Sequence, residues 1–222
     1  MSSGDSFGHP FEGLPREIPI FPLPGALLLP YGRLPLNLFE ERYLAMALDA
    51  LKEERIIGMV QPLEFQPDPV AGDAPIFGIG CAGRITSFTE TDDRRILISL
   101  KGICRFHIAG EIEGRNGYRR IAADYGPFRD DLAEKPGFDF DRGELFDLLR
   151  RFFESRGLQT DWDSLENADD ETLIVSLAMM CPFDVSEKQA LLEAPKMPDV
   201  PDVLMSLLAM AGAEGEAPAS RH

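Results

Sequence analysis

Residues 20–46 read IFPLPGALLLPYGRLPLNLFEERYLAM, a run that begins as extended chain and ends at helical spacing. Four prolines and two glycines are set among large apolar residues. Pro22, Pro24, Pro30 and Pro35 each fix φ and lack an N–H, so the first half is extended or turning chain. The second half changes period. Asn37 with Glu40 three residues on has the spacing of a helix capping box. Tyr43, Leu44, Ala47, Leu48 and Leu51 then recur at helical spacing, which predicts a helix over about 38–53.

Outward from this segment the pattern is first that of strands. Residues 55–60 form a short apolar run, and residues 61–75, with four prolines, read as a loop. Residues 76–88 are apolar and punctuated by glycine. From 95 to 108 the even positions, including Ile96, Ile98, Leu100, Cys104, Phe106 and Ile108, are apolar and the odd ones mostly polar. That period of two predicts one long strand with a buried face, bent at Gly102. The EGRNGY turn then leads into a hairpin partner at 119–125.

From residue 141 the period becomes helical. Asp141 and Glu144 have capping-box spacing, Leu145, Leu148, Leu149, Phe152 and Phe153 make one stripe, and Gly157 stands at the expected stop. A second helix is expected at 173–180, a third at 187–193 capped by Ser186 and Gln189, and a fourth from Pro201 to Met210. Residues 1–15 and 212–222 are small and polar and are expected to be disordered tails. The layout is therefore a mainly β part over 16–128 and an acidic helical part over 129–211.

Three blocks resemble the Lon-protease N-terminal domain, the Lon substrate-binding domain. They are PLPGALLLPYGRLPLNLFEERY, then GIGCAGRITSFTETDDRRILISLKGICRFHI with its Arg105–Phe106 pair, then SLAMMCPFDVSEKQALLEAP. They fall in the family's order across roughly residues 18–195. The resemblance implies an α+β fold, a PUA-like β-barrel followed by a small C-terminal helical lobe. Asn37, Glu40, Arg42, Arg105 and Phe106 stand at signature positions, for which capping and ion pairing at the barrel–helix junction are sufficient roles.

The resemblance is to a stand-alone member and does not carry Lon's activities with it. No G-x-x-x-x-G-K-[ST] phosphate loop occurs. The family's serine–lysine peptidase centre belongs to a carboxy-terminal domain. We therefore expect neither an ATPase nor a protease, with no catalytic residues, no cofactor and no metal. Cys104 and His107 are three apart on a strand and face opposite ways. Cys81, Cys104 and Cys181 show no disulfide or metal-pair spacing. Asp130–Asp131 and Asp169–Asp170–Glu171 are explained as solvated loops and helix first turns.

Charge bounds the partners. The net charge is −16. Residues 1–128 carry 13 basic and 17 acidic groups, and residues 129–222 the other 9 and 21. Nucleic-acid phosphates and anionic lipid would be repelled, apart from a local patch at Arg115, Arg119 and Arg120, which we read as a solvated hairpin. No apolar run approaches the roughly 18 residues of a membrane span, and no secretory signal pattern opens the sequence. A cytoplasmic location is expected.

Two features point to binding. Leu27, Leu28, Leu29, Tyr31, Leu34, Leu36 and Leu38 put seven large apolar groups into twelve residues. Either the segment is buried on both faces, or leftover groups form a patch for unfolded or extended polypeptide, with Leu27, Leu29, Tyr31, Leu34 and Leu36 as the contact residues. Five of the eight methionines lie between 179 and 210. They suit a helix-bundle core or a promiscuous groove. The leading expectation is a protein- or peptide-binding module whose partners are unfolded clients or a protease. The alternatives are a small-molecule sensor or enzyme using a barrel-mouth or lobe-junction pocket, and an RNA-binding PUA-like barrel.

Overall fold

The computed structural model describes residues 13–63, 72–132 and 137–215. The expected tails therefore fall largely outside the described residues, as does most of the proline-rich loop. Residues 13–15 do not behave as tail, because Leu14 is buried among barrel residues.

Six strands form one sheet: β1 (Glu17–Pro22), β2 (Arg33–Leu38), β3 (Ile56–Val60), β4 (Ile79–Glu90), β5 (Ile96–Arg115) and β6 (Tyr118–Asp124). Their order is β2-β5-β4-β3-β1-β6, and β6 also pairs with β5. That last pairing closes a barrel and leaves β2 as an extra strand beside β5. β1 and β3 run parallel, and the remaining pairs are antiparallel. β5 can serve β2, β4 and β6 because it is 20 residues long and changes partners near His107. It runs past the predicted end at 108, because register shifts near Ile108 and Gly110 break the alternation that marks a strand in sequence. Asn116 and Gly117, both at positive φ, turn the chain into β6 as a two-residue hairpin requires.

Gly102 is required by close approach. A Cβ there would stand 2.0 Å from the Leu29 carbonyl oxygen. The chain at 27–31 lies directly against the sheet at this point, with Tyr31 N–H donating to Gly102 O and Gly102 N–H donating to Gly32 O.

The helices are α1 (Glu41–Lys52), between β2 and β3, and then α2 (Arg142–Ser155), α3 (Trp162–Asn167), α4 (Asp170–Met180), α5 (Val185–Leu192) and α6 (Val200–Gly215). Asp141 caps α2 by accepting from Glu144 N, as the spacing predicts. Three expectations are corrected. The cap of α5 is Asp184, which forms a reciprocal capping box with Glu187, so Ser186 lies inside the helix. α3, too short to show a period, was not expected. α6 continues to Gly215, past Met210, since no proline interrupts residues 211–215.

The interior divides in two. Ile18, Ile20, Ile56, Val60, Ala82, Cys104, Phe106 and Ile121 fill the barrel. A larger cluster joins the other sheet face to Leu27–Leu29, α1 and the helical lobe.

Candidate functional site

Leu27, Leu29 and Leu36 are buried, which corrects their assignment to a surface patch. The 27–29 segment is sandwiched between the sheet and the helices, so both of its faces are covered. Tyr31 and Leu34 are different. Both are half-buried, and both line a cleft of about 380 Å³ between residues 31–35 and α4. Val175, Met179 and Met180 make its apolar wall, while Arg33 and Glu171 bring opposite charges to it. Met180 is 80% exposed. Through Ser176 and Met180 the cleft meets a second one of about 320 Å³, lined by Phe153, Leu158 and Leu165 among others. Pattern alone gave α4 no role here, because Met179 and Met180 carry the same signal as core methionines.

Tyr31 is held in place at φ +69°. Its hydroxyl donates to Asp131 O at 2.9 Å. Burial first, then the charges of Asp131 and Glu171, push this phenol up to about 12, so it remains a neutral donor. Glu171 Oε2 is buried without a hydrogen-bond partner among the described residues. A buried acceptor without a partner is costly, so this oxygen is open to a donor.

The turn that receives Tyr31 is anchored by Arg105, which is 1% exposed. Its Nε donates to Asp131 Oδ2 and its Nη2 to Asp131 Oδ1, both at 2.8 Å. The Arg105 backbone N–H donates to Oδ2 at 3.0 Å. Nη1 reaches the carbonyls of Leu192 and Ala194 after α5, and the guanidinium lies over the Phe128 ring. Asp131 is thus a buried ion-pair partner, which corrects its reading as solvated. The pair is 26 residues apart in sequence, and no local pattern announces it. Phe106 is fully buried in the barrel, edge-on to Tyr125.

Asn37 is not a helix cap. It lies in β2 opposite Leu97, and the N-cap position of α1 is Glu40, whose side chain makes no capping bond. The alternation of Leu34, Leu36 and Leu38 around Pro35 outweighs a capping spacing. Glu40 instead accepts from Arg42 Nε at 2.9 Å, and Arg42 lies over the Tyr43 ring, so the ion pair at the barrel–helix junction is present.

Cys104 is buried in the barrel, whereas His107 is exposed and stacks on Phe128. Burial pushes the thiols of Cys104 and Cys181 up to about 12 and that of Cys81 well above its ordinary value. Thiols so placed stay protonated and are poor nucleophiles. Arg115, Arg119 and Arg120 pair with Glu53, Glu111 and Glu17 around the hairpin. Among the described residues no His, Cys, Asp and Glu side chains gather in threes to hold a metal. Nor is any helix among them long and apolar enough to cross a membrane.

Comparison with known proteins identifies the family and the fold. The model of the ATP-dependent protease La (LON) substrate-binding domain matches residues 17–209. The Lon protease of Anaeromyxobacter dehalogenans and Lon protease 2 of Myxococcus xanthus are each 29% identical over 98 residues, 44% of this chain. The match spans 11% and 12% of those proteins' lengths. The fold is similar to that of the Lon N-terminal domain protein from Xanthomonas campestris, with TM-score 0.56, 22% identity, and 86% of this chain and 97% of that one covered. It is also similar to the N-terminal domain of the Mycobacterium avium complex Lon protease, with TM-score 0.58, 16% identity and coverage of 89% and 98%. The matched region is a substrate-binding domain and not a catalytic one, and the chain belongs to the family of the ATP-dependent protease La (LON) substrate-binding domain.

Proposed function

We propose that this chain is a non-enzymatic polypeptide-binding module that takes unfolded or extended protein segments in the cleft between residues 31–35 and α4. The observation that carries the reading is the composition of that cleft. Leu34, Val175, Met179 and Met180 offer flexible apolar surface, and Tyr31 and Glu171 supply a few polar points, which is how adaptable peptide grooves are built. The second cleft beyond Met180 lengthens the track to more than one side chain. Three free, buried thiols fit a reducing compartment, and we place the module in the cytoplasm.

The test is fluorescence anisotropy with a labelled, permanently unfolded polypeptide, against a folded control, at low and moderate salt. The reading expects preference for the unfolded chain, binding that survives salt, and at least a tenfold loss in Leu34→Asp or Met179→Glu. Binding that disappears with salt, or that ignores both substitutions, would refute it.

A further inference from the structure

β2 is an edge strand, and its register fixes which backbone groups face outward. Gly102 N–H donates to Gly32 O, and the Ser99 carbonyl turns toward β4 to accept from Thr86 Oγ1. Pro35, which pairs with Ser99, therefore points its missing N–H away from β5. By alternation the N–H and C=O groups of Arg33 and Asn37 point the same way, about 13 Å apart along the strand. Among the described residues none of these groups is hydrogen-bonded. The open edge borders the cleft lined by α4, since Arg33, Leu34 and Pro35 belong to both.

Residues directly opposite across strands share a face. Three cross-strand rows run over β4, β5 and β2: Arg84, Lys101 and Arg33; Ser87, Ser99 and Pro35; Thr89, Leu97 and Asn37. No carboxylate stands among these nine positions, in a chain of net charge −16. The first row places three cations side by side with no ion pair among the described residues, and Arg84 Nε is buried without an acceptor. Burial and the neighbouring Arg55 both weigh against the charge of Arg84. Like charges directly opposite destabilise a sheet, and in this row only solvent offsets them among the described residues.

We infer that the open edge of β2 receives an extended polypeptide segment in which acidic residues alternate with apolar ones. This deepens the function proposed above and rests on it. A strand added at that edge sets one side chain beside Arg33, extending the cation row with an anion, and turns the next toward Leu34 and the α4 wall. The Arg33 and Asn37 groups supply main-chain pairing, and Glu171 offers an acceptor for an incoming N–H. Pro35 removes one donor from the edge, which keeps pairing weak and discourages copies of the chain from stacking. The net negative charge does not forbid an acidic ligand. At physiological ionic strength screening acts over about 8 Å, so the local row governs what it touches.

The experiment is anisotropy with labelled nine-residue peptides at 0.15 M salt, using the full chain: alternating leucine and glutamate, alternating leucine and lysine, and leucine and glutamate in blocks. The alternating acidic peptide is expected to bind at least tenfold tighter than either other. Arg33→Glu with Lys101→Glu is expected to reverse the preference between glutamate and lysine. Asn37→Pro removes an outward N–H without touching the β2–β5 ladder, and is expected to weaken the acidic peptide at least fivefold. Circular dichroism confirms that each variant folds, and Arg33→Gln with Lys101→Gln serves if charge reversal does not. Equal affinity for the acidic and basic peptides, or indifference to Asn37→Pro, would overturn the inference. If unfolded polypeptide still binds in the Leu34-dependent manner, only this inference fails. If no polypeptide binds, the parent reading fails with it.

Discussion

Replacing Asp131 by alanine tests the junction that positions the cleft. The carboxylate accepts three hydrogen bonds from Arg105, one main-chain and two from the guanidinium. Both side chains are almost completely buried. Asp131→Ala leaves a guanidinium in the interior with only the Leu192 and Ala194 carbonyls and the Phe128 ring as partners. Breaking a buried pair from one side costs about 3–5 kcal/mol. The remaining neutral contacts retain part of the stabilisation, so we expect the lower end, about 3 kcal/mol, or roughly a hundredfold in the folding constant. Urea unfolding followed by far-UV circular dichroism at pH 7 reads this as a lower midpoint at unchanged slope. Arg105→Met with Asp131→Leu closes the cycle, and the double variant is expected to lose much less than the two singles together. A loss of under about 0.5 kcal/mol in Asp131→Ala would refute the account, since it would mean that Arg105 needs no partner. The same turn accepts the Tyr31 hydroxyl, so weaker polypeptide binding should accompany the loss of stability.

Three other outcomes follow from the same structure. Gly102→Ala drives a methyl group against the Leu29 backbone and is expected to cost at least about 2–3 kcal/mol by the same denaturation assay; a neutral result would mean that the 27–31 segment does not lie on the sheet. All three thiols are buried, so a thiol reagent such as Ellman's should find no fast-reacting group in the native protein and three in urea. One fast native thiol would contradict the placement of that cysteine. At Asp49, burial opposes ionisation, but hydrogen bonds from Asn116, Lys52 and Tyr118 and the charge of Arg115 outweigh it and hold the carboxyl below its ordinary value. Its folded pKa lies below its unfolded one. The stability it contributes is therefore present above about pH 4 and is lost as pH falls through the folded value. Unfolding between pH 6 and pH 3 should show a shallower acid loss in Asp49→Asn, and an unchanged slope would remove Asp49 from that role.

The strands and helices with a clear period were legible from the chain itself. The β5 face from Ile96 to Phe106 and the Asp141 cap of α2 follow from local spacing, which local physics enforces. Asn37 misled because a capping box is a pair of residue types at one distance, whereas Leu34, Leu36 and Leu38 are held by pairing with β5. Two of the five expected contact residues were legible. Tyr31 and Leu34 reach the cleft, while Leu27, Leu29 and Leu36 do not, and the sequence cannot distinguish a segment covered on both faces from one with a spare apolar side. Glu171, Val175 and the cation row became visible only when the barrel brought β2 beside α4 and aligned Arg84 with Lys101 and Arg33. Those are tertiary neighbours, and nothing in their local sequence marks them.

Amide hydrogen exchange of the chain with and without saturating unfolded polypeptide locates the segment that polypeptide covers. Bound polypeptide is expected to slow exchange at Arg33 and Asn37, on the open edge of β2, and across 171–180 in α4. Protection confined to other surfaces, such as the exposed side of α1 or the β5–β6 hairpin, with β2 and α4 unchanged, would contradict it.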